Sequence, residues 1–118
     1  MKQNILLIGH KSFVGKQIKK FILKDGKFRI FFLEKYFLEN DILSLNNKEF
    51  YKKYFSEYKK IDAVVSCLHI HKNEFKDELI LNTKAYKHIL YFSKIKQIKK
   101  IIYLSSINVS KKKSSPYA

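Results

Sequence analysis

Gly9, Ser12 and Gly15 stand three residues apart in Gly9-His10-Lys11-Ser12-Phe13-Val14-Gly15, directly after the apolar run Ile5-Leu6-Leu7-Ile8 and before an amphipathic stretch. The pattern is that of a strand, a tight turn and a helix. Such a turn gathers unpaired backbone N–H groups and the positive end of a helix dipole at one point, which suits a diphosphate. The spacing is looser than the usual G-x-G-x-x-G, and the same residues also describe a glycine-ended strand followed by a helix that Ser12 caps. Glu34 ends a second apolar run 19 positions after Gly15. A carboxylate there would accept hydrogen bonds from ribose hydroxyls, with a solvated strand-end acid as the alternative. Lys35 and Lys11 stand where they would instead meet a 2′-phosphate, so the preference for NAD over NADP is slight.

Two further groups bear on chemistry. Asn82 falls on the expected apolar stripe of a helix, where a buried amide is costly unless paired. A structural hydrogen bond to a neighbouring strand or loop is its first reading, with contact to a cofactor as the second. Cys67, His69 and His71 form a C-x-H-x-H cluster. Alternation along an extended segment would put all three on one face, but the spacing matches no common zinc signature and supplies no fourth ligand, so no metal site is assigned.

The elements that must position these residues follow from periodicity. Strands are expected at residues 4–9, 29–34, 61–66 and 101–105. Helices are expected at 14–24, with Val14, Ile18, Phe21 and Ile22 inward, and at 48–58, with Phe50, Tyr54, Phe55 and Tyr58 on one side. A long helix is expected at 73–93, its inner stripe running through Phe75, Leu79, Asn82, Tyr86, Ile89 and Leu90. Residues 35–46 read as irregular, with a turn at Asn40-Asp41. Alternation of this kind implies a Rossmann-type α/β domain, a parallel sheet of about five strands with helices on both faces.

Composition narrows the class. A chain of 118 residues suits one domain. No apolar run approaches a membrane span, no signal peptide precedes the first strand, and the single cysteine, Cys67, excludes an internal disulfide; together these imply a cytoplasmic protein without a membrane partner. The formal charge of +15 invites a nucleic-acid reading. Against it, Arg29 is the sole arginine and the lysines are spread over nearly every segment, so a solvated basic surface is expected and no specific nucleic-acid partner.

In order along the chain, these motifs resemble the extended short-chain dehydrogenases/reductases, the NAD-dependent epimerase/dehydratases of nucleotide sugars. Gly9 to Gly15 is similar to that family's G-x-x-G-[FY]-[IV]-G loop, with Phe13-Val14-Gly15 matching and Ser12 in place of the middle glycine. Asp41-Ile42 resembles its adenine-contacting pair. Asp62 to His69 resembles its D-x-V-[IV]-H-x-A-[AG] strand, with Cys67 and Leu68 passing the cofactor. Asn82, Ile89 and Leu90 match its N-x-x-G-T-x-N-[IL]-L helix, with Ala85 and Tyr86 in place of the glycine and threonine. Ile101 to Ser106 is similar to its fifth strand, and Ser115-Pro116-Tyr117 to the start of its P-Y-x-x-x-K element.

The resemblance implies hydride transfer between a sugar carbon and nicotinamide, with Tyr117 as acid/base and Ser106 as its hydrogen-bonding partner. It implies a nucleotide-sugar substrate, NAD (or NADP) as cofactor, and compatibility with a homodimer. Leu68 and His69 replace small residues and would narrow the cofactor cleft. The family's lysine would fall four residues after Tyr117, beyond Ala118. The expectation is therefore the cofactor-binding portion of such an enzyme, inactive as these 118 residues. The alternative is a non-catalytic dinucleotide-binding or interaction module, or a decayed remnant.

Overall fold

The structure is a computed structural model that describes residues 2–33 and 35–104. Four strands, β1 (Gln3–Ile8), β2 (Phe28–Phe32), β3 (Ala63–Ser66) and β4 (Lys100–Tyr103), form one parallel sheet in the order β2-β1-β3-β4. Helix α1 (Phe13–Asp25) covers one face; α2 (Glu39–Ser44), α3 (Asn47–Tyr54) and α4 (Phe75–Ile95) lie on the other. This is the Rossmann-like α/β arrangement implied by the alternation of apolar runs, with four strands among the described residues rather than about five.

The central strand shows why the two faces form. Ile5, Leu6, Leu7 and Ile8 are all buried, as a strand covered on both sides requires. Because side chains alternate, Leu6 and Ile8 enter the core with α3 and α4, whereas Ile5 and Leu7 pack with Ile18 and Ile22 of α1. In β3, Val64 and Val65 divide between the faces in the same way. The end of the sheet away from Gly9 is pinned by Asn4, whose N–H donates to Asp62 Oδ2 at 2.7 Å and whose Nδ2 donates to the Lys60 carbonyl at 3.0 Å.

The larger core is aromatic. Asn46 starts α3 with a reciprocal cap: its Oδ1 accepts from Glu49 N at 2.8 Å and its own N–H donates to Glu49 Oε1 at 3.0 Å. The helix ends at Tyr54, earlier than expected, yet Phe50, Tyr54, Phe55 and Tyr58 are all buried as the spacing predicts. Phe50 stacks on His88 of α4 with ring centroids 4.0 Å apart, and Phe55 on Phe92 at 4.3 Å. Burying each such ring contributes roughly 1.5–3 kcal/mol.

Three expectations need correction. Residues 35–46 are not irregular throughout, since α2 occupies Glu39–Ser44. Its six residues are too few to show a helical period, and no side chain caps its start. Helix α4 turns a different stripe inward from the one expected: Glu78, Leu81, Ala85, His88, Ile89 and Phe92 are buried, while Phe75, Leu79 and Leu90 are exposed. Polar Glu78 and His88 have specific partners that hydropathy does not reveal. In α1, Ile22 is buried as expected, but Val14 is exposed and Phe21 keeps 76% of its surface in solvent.

Candidate functional site

The strand order changes direction between β1 and β3, and the chain leaves both strands beside the same crevice. Ile8 pairs with Ser66 at the end of the ladder, and Cys67 N–H donates to the Ile8 carbonyl at 2.7 Å. A cleft of about 200 Å³ opens here, walled by Gly9, His10, Lys11 and Ser12 on one side, Leu33, Tyr36 and Phe37 on another, and Cys67, Leu68 and His69 on the third. In open α/β sheets this switch point is the place where ligands bind.

The loop that forms its first wall depends on two absent side chains. Gly9 has φ +82°, and a Cβ there would come within 2.8 Å of the Cys67 carbonyl carbon and 2.9 Å of Leu68 N. A Cβ on Gly15 would strike the Gly9 carbonyl oxygen. The loop is thus folded onto both the β3 end and the first turn of α1. Ser12 secures it: its Oγ donates to the Gly9 carbonyl and accepts from Gly15 N–H, both at 2.9 Å. That makes Ser12 the N-cap of α1.

The cap leaves the first backbone donors of the helix available. Among the described residues, no acceptor meets the N–H groups of Phe13 and Val14. The first turn of α1 holds no acid, so no carboxylate competes with an incoming anion. Lys11 projects from the loop, its Nζ 5.1 Å from the Tyr36 ring centroid. His10 lies tilted against Phe32, ring centroids 4.5 Å apart; partial burial, then the nearby Lys11 and Lys19 charges, lower its pKa from the ordinary imidazole value. Burial pushes the Cys67 thiol up, which keeps it from acting as a thiolate near neutrality. The unpaired Phe13 and Val14 N–H groups beside the Ser12 cap fit a diphosphate, whereas the Cβ positions of Gly9 and Gly15 face backbone, so the glycines serve the close packing of the loop on β3 and α1.

The other sequence-selected residues divide in two. Leu68 lines the cleft and also packs against the larger core. Lys35 is exposed just after β2. Asp41 and Ile42 sit in α2 and serve packing: Ile42 is a core residue whose carbonyl accepts from His88 Nε2 at 3.1 Å. Asp41 Oδ2 accepts from Lys53 Nζ and from Tyr54 Oη, each at 2.6 Å. The hydrogen bond from Lys53, then that from Tyr54, lowers the Asp41 pKa below the ordinary aspartate range. Asn82 bonds backbone groups beyond β3, in agreement with its first reading. Glu34, Ser106 and Tyr117 lie outside the described residues.

With this geometry in view, the chain can be set beside known proteins. Neither a family model nor a curated protein matches it. It is similar in fold to a solved structure named DdhaC. The match has a TM-score of 0.70 and 21% sequence identity, covering 92% of this chain and 31% of that one. The chain therefore spans under a third of the length of that protein. At this identity the likeness concerns architecture alone, and it agrees with the parallel sheet and its helices. Among the described residues, no helix is long and apolar enough to cross a membrane.

Sequence reasoning missed two sets of residues near the cleft. Tyr36 and Phe37 line it from the segment read as irregular. Glu78, buried in the first part of α4, accepts from Lys72 N–H through Oε1 at 2.9 Å and faces His69 Nε2 through Oε2 at 2.9 Å. The signal was present in the spacing of Leu81, Ala85, Ile89 and Phe92, which fixes the inward face of α4 and carries Glu78 with it.

Proposed function

We propose that this chain is the cofactor-binding portion of an NAD(P)-dependent enzyme acting on nucleotide sugars, of the extended short-chain dehydrogenase/reductase kind. The observation that carries the reading is the Gly9–Ser12–Gly15 loop at the switch point, where two glycines hold the backbone close and the start of α1 offers the Phe13 and Val14 N–H groups. Lys11 adds a mobile positive charge beside those donors. Gly9, Lys11, Ser12, Phe13, Val14 and Gly15 would hold the diphosphate, and Cys67 and Leu68 would border the dinucleotide where it crosses the β3 end. NAD is favoured over NADP through Glu34, with Lys11 and Lys35 as the residues that would meet a 2′-phosphate.

When bound, the nicotinamide supplies a hydride acceptor or donor. This chain's own residues orient it. In the same proposal Tyr117 exchanges the substrate hydroxyl proton and Ser106 hydrogen-bonds the same oxygen, as the family resemblance implies. Epimerase, dehydratase or reductase activity, the sugar nucleotide and a cytoplasmic setting belong to this proposal.

The test is isothermal titration of the 118-residue chain with NAD+, NADP+ and ADP-ribose, alongside Lys11→Ala. Saturable 1:1 binding that weakens about tenfold in the variant supports the reading, a loss of the size expected for one charge-assisted contact. No binding of any of the three at millimolar concentration overturns it.

A further inference from the structure

His69, His71 and Glu78 each point one potential ligand atom into a single space, and these three atoms all lie within 4.8 Å of one another. We propose that they form a binding site for a divalent transition-metal ion, Zn2+ first among them, at the rim of the cleft. The inference is independent of the dinucleotide reading.

The donor set suits the ion. Two imidazoles and one carboxylate are a zinc ligand combination, and tetrahedral coordination at about 2.0–2.1 Å places donors about 3.3 Å apart. His69 Nε2 and Glu78 Oε2 are already 2.9 Å apart, and the His69 and His71 rings stand 4.5 Å apart at an interplanar angle of 63°. Only a small adjustment of the outer imidazole completes the triangle. His71 is exposed, so water can reach the remaining position.

The surroundings hold the ligands in place. Glu78 is buried, and its second oxygen accepts the Lys72 N–H at 2.9 Å, which fixes the carboxylate plane as outer-shell hydrogen bonds do in metal sites. His69 and His71 alternate along one extended segment and so share a side. Lys72, the nearest cation in sequence, turns its Nζ to Glu39 Oε1 at 3.0 Å, which offsets its charge. Asn82 clamps Ile70, the residue between the two histidines, to α4. Both histidines are therefore held over the helix that supplies Glu78. Cys67, which the C-x-H-x-H spacing suggested as a ligand, is outside the cluster, and Glu78 takes that role.

Metal entry replaces the His69–Glu78 hydrogen bond. The neutral His69 imidazole exchanges tautomer through solvent, giving up the Nε2 proton and taking one at Nδ1, so that the Nε2 lone pair and a carboxylate oxygen both go to the ion.

The experiment is a competition titration of the intact chain with Zn2+ against a chromophoric chelator, with His71→Ala and Glu78→Gln in parallel. His71 is exposed, so its variant should keep the wild-type circular dichroism and metal-free melting curve. The expected result is one Zn2+ per chain, with affinity reduced at least about 100-fold in His71→Ala, beyond the usual effect of losing an outer-shell partner. Absence of 1:1 binding, or an affinity unchanged in His71→Ala, overturns the proposal.

Discussion

The side-chain amide of Asn82 satisfies both backbone groups of Ile70: Oδ1 accepts the Ile70 N–H and Nδ2 donates to the Ile70 carbonyl, each at 2.8 Å. The same Nδ2 also reaches the Glu78 carbonyl at 2.7 Å. One α4 side chain therefore does for the segment after β3 what a neighbouring strand would do. Asn82→Ala should destabilise the fold by about 1–3 kcal/mol, because it leaves two part-buried backbone groups unpaired. Urea unfolding checks this; a loss under about 0.5 kcal/mol would mean that water replaces the amide without penalty.

Gly9 and Gly26 share a positive φ, +82° and +78°, but differ in what surrounds them. A Cβ at Gly26 meets nothing within 4 Å, whereas at Gly9 it meets the Cys67–Leu68 peptide. Gly26→Ala should cost only the left-handed penalty, about 1 kcal/mol. Gly9→Ala adds a backbone clash, about 1–3 kcal/mol more, and should distort the cleft. Denaturation of the two variants in parallel gives the order; equal losses would show that the loop can retreat from β3.

Asp41 receives two hydrogen bonds of equal length from unequal partners. The Tyr54 hydroxyl is buried and also accepts the Leu38 N–H at 3.1 Å, while the Lys53 side chain is 43% exposed. Solvent screening should make Lys53→Ala the milder of the two losses. Tyr54→Phe removes a buried hydroxyl from an ionised acceptor and strands the Leu38 N–H, and should cost about 1.5–3 kcal/mol. A double-mutant comparison by urea denaturation tests the ranking.

His88 makes stability depend on pH. Burial against Phe50 lowers its pKa from the ordinary 6.5, with the hydrogen bond to the Ile42 carbonyl opposing and the Lys84 charge reinforcing the shift. The folded state then binds fewer protons than the unfolded state at mildly acidic pH. The contribution of neutral His88 is fully present above 6.5 and is lost as pH falls through the lower folded value. His10, also lowered, adds to the same slope from a more solvated place. Urea midpoints should fall between pH 7.5 and pH 5, and fall less steeply in His88→Gln. An equal slope in the variant would assign the effect elsewhere.

Much of this architecture was legible because its signals are local. The strands announce themselves as apolar runs, and Phe50, Tyr54, Phe55 and Tyr58 repeat at a spacing that holds even past the end of α3, where the helix gives way to a turn. Gly9, Ser12 and Gly15 were legible for the same reason, since a tight turn and a cap are made by neighbours. What stayed hidden depends on partners far along the chain. Glu78 and His88 point inward because a backbone amide near His69 and the carbonyl of Ile42 await them. Hydropathy assigns such residues to solvent, so the expected face of α4 was rotated. Asp41 looked like a ligand contact, yet Lys53 and Tyr54 of α3 take up one of its carboxylate oxygens.

The position of β1 between β2 and β3 also orders events in time. β1 lies inside the sheet, between β2 and β3, and its second neighbour begins nearly sixty residues later, as the Asn4–Asp62 bond spanning 58 positions records. A nascent chain can pair β1 with β2 early, but the other edge of β1 stays open until β3 has been synthesised. Closing so wide a loop is entropically slow compared with forming a local turn. The same placement that shelters Leu6 in the folded domain leaves it waiting for α3 and α4 during synthesis, whereas Leu7 is met early by Ile18 and Ile22 of α1.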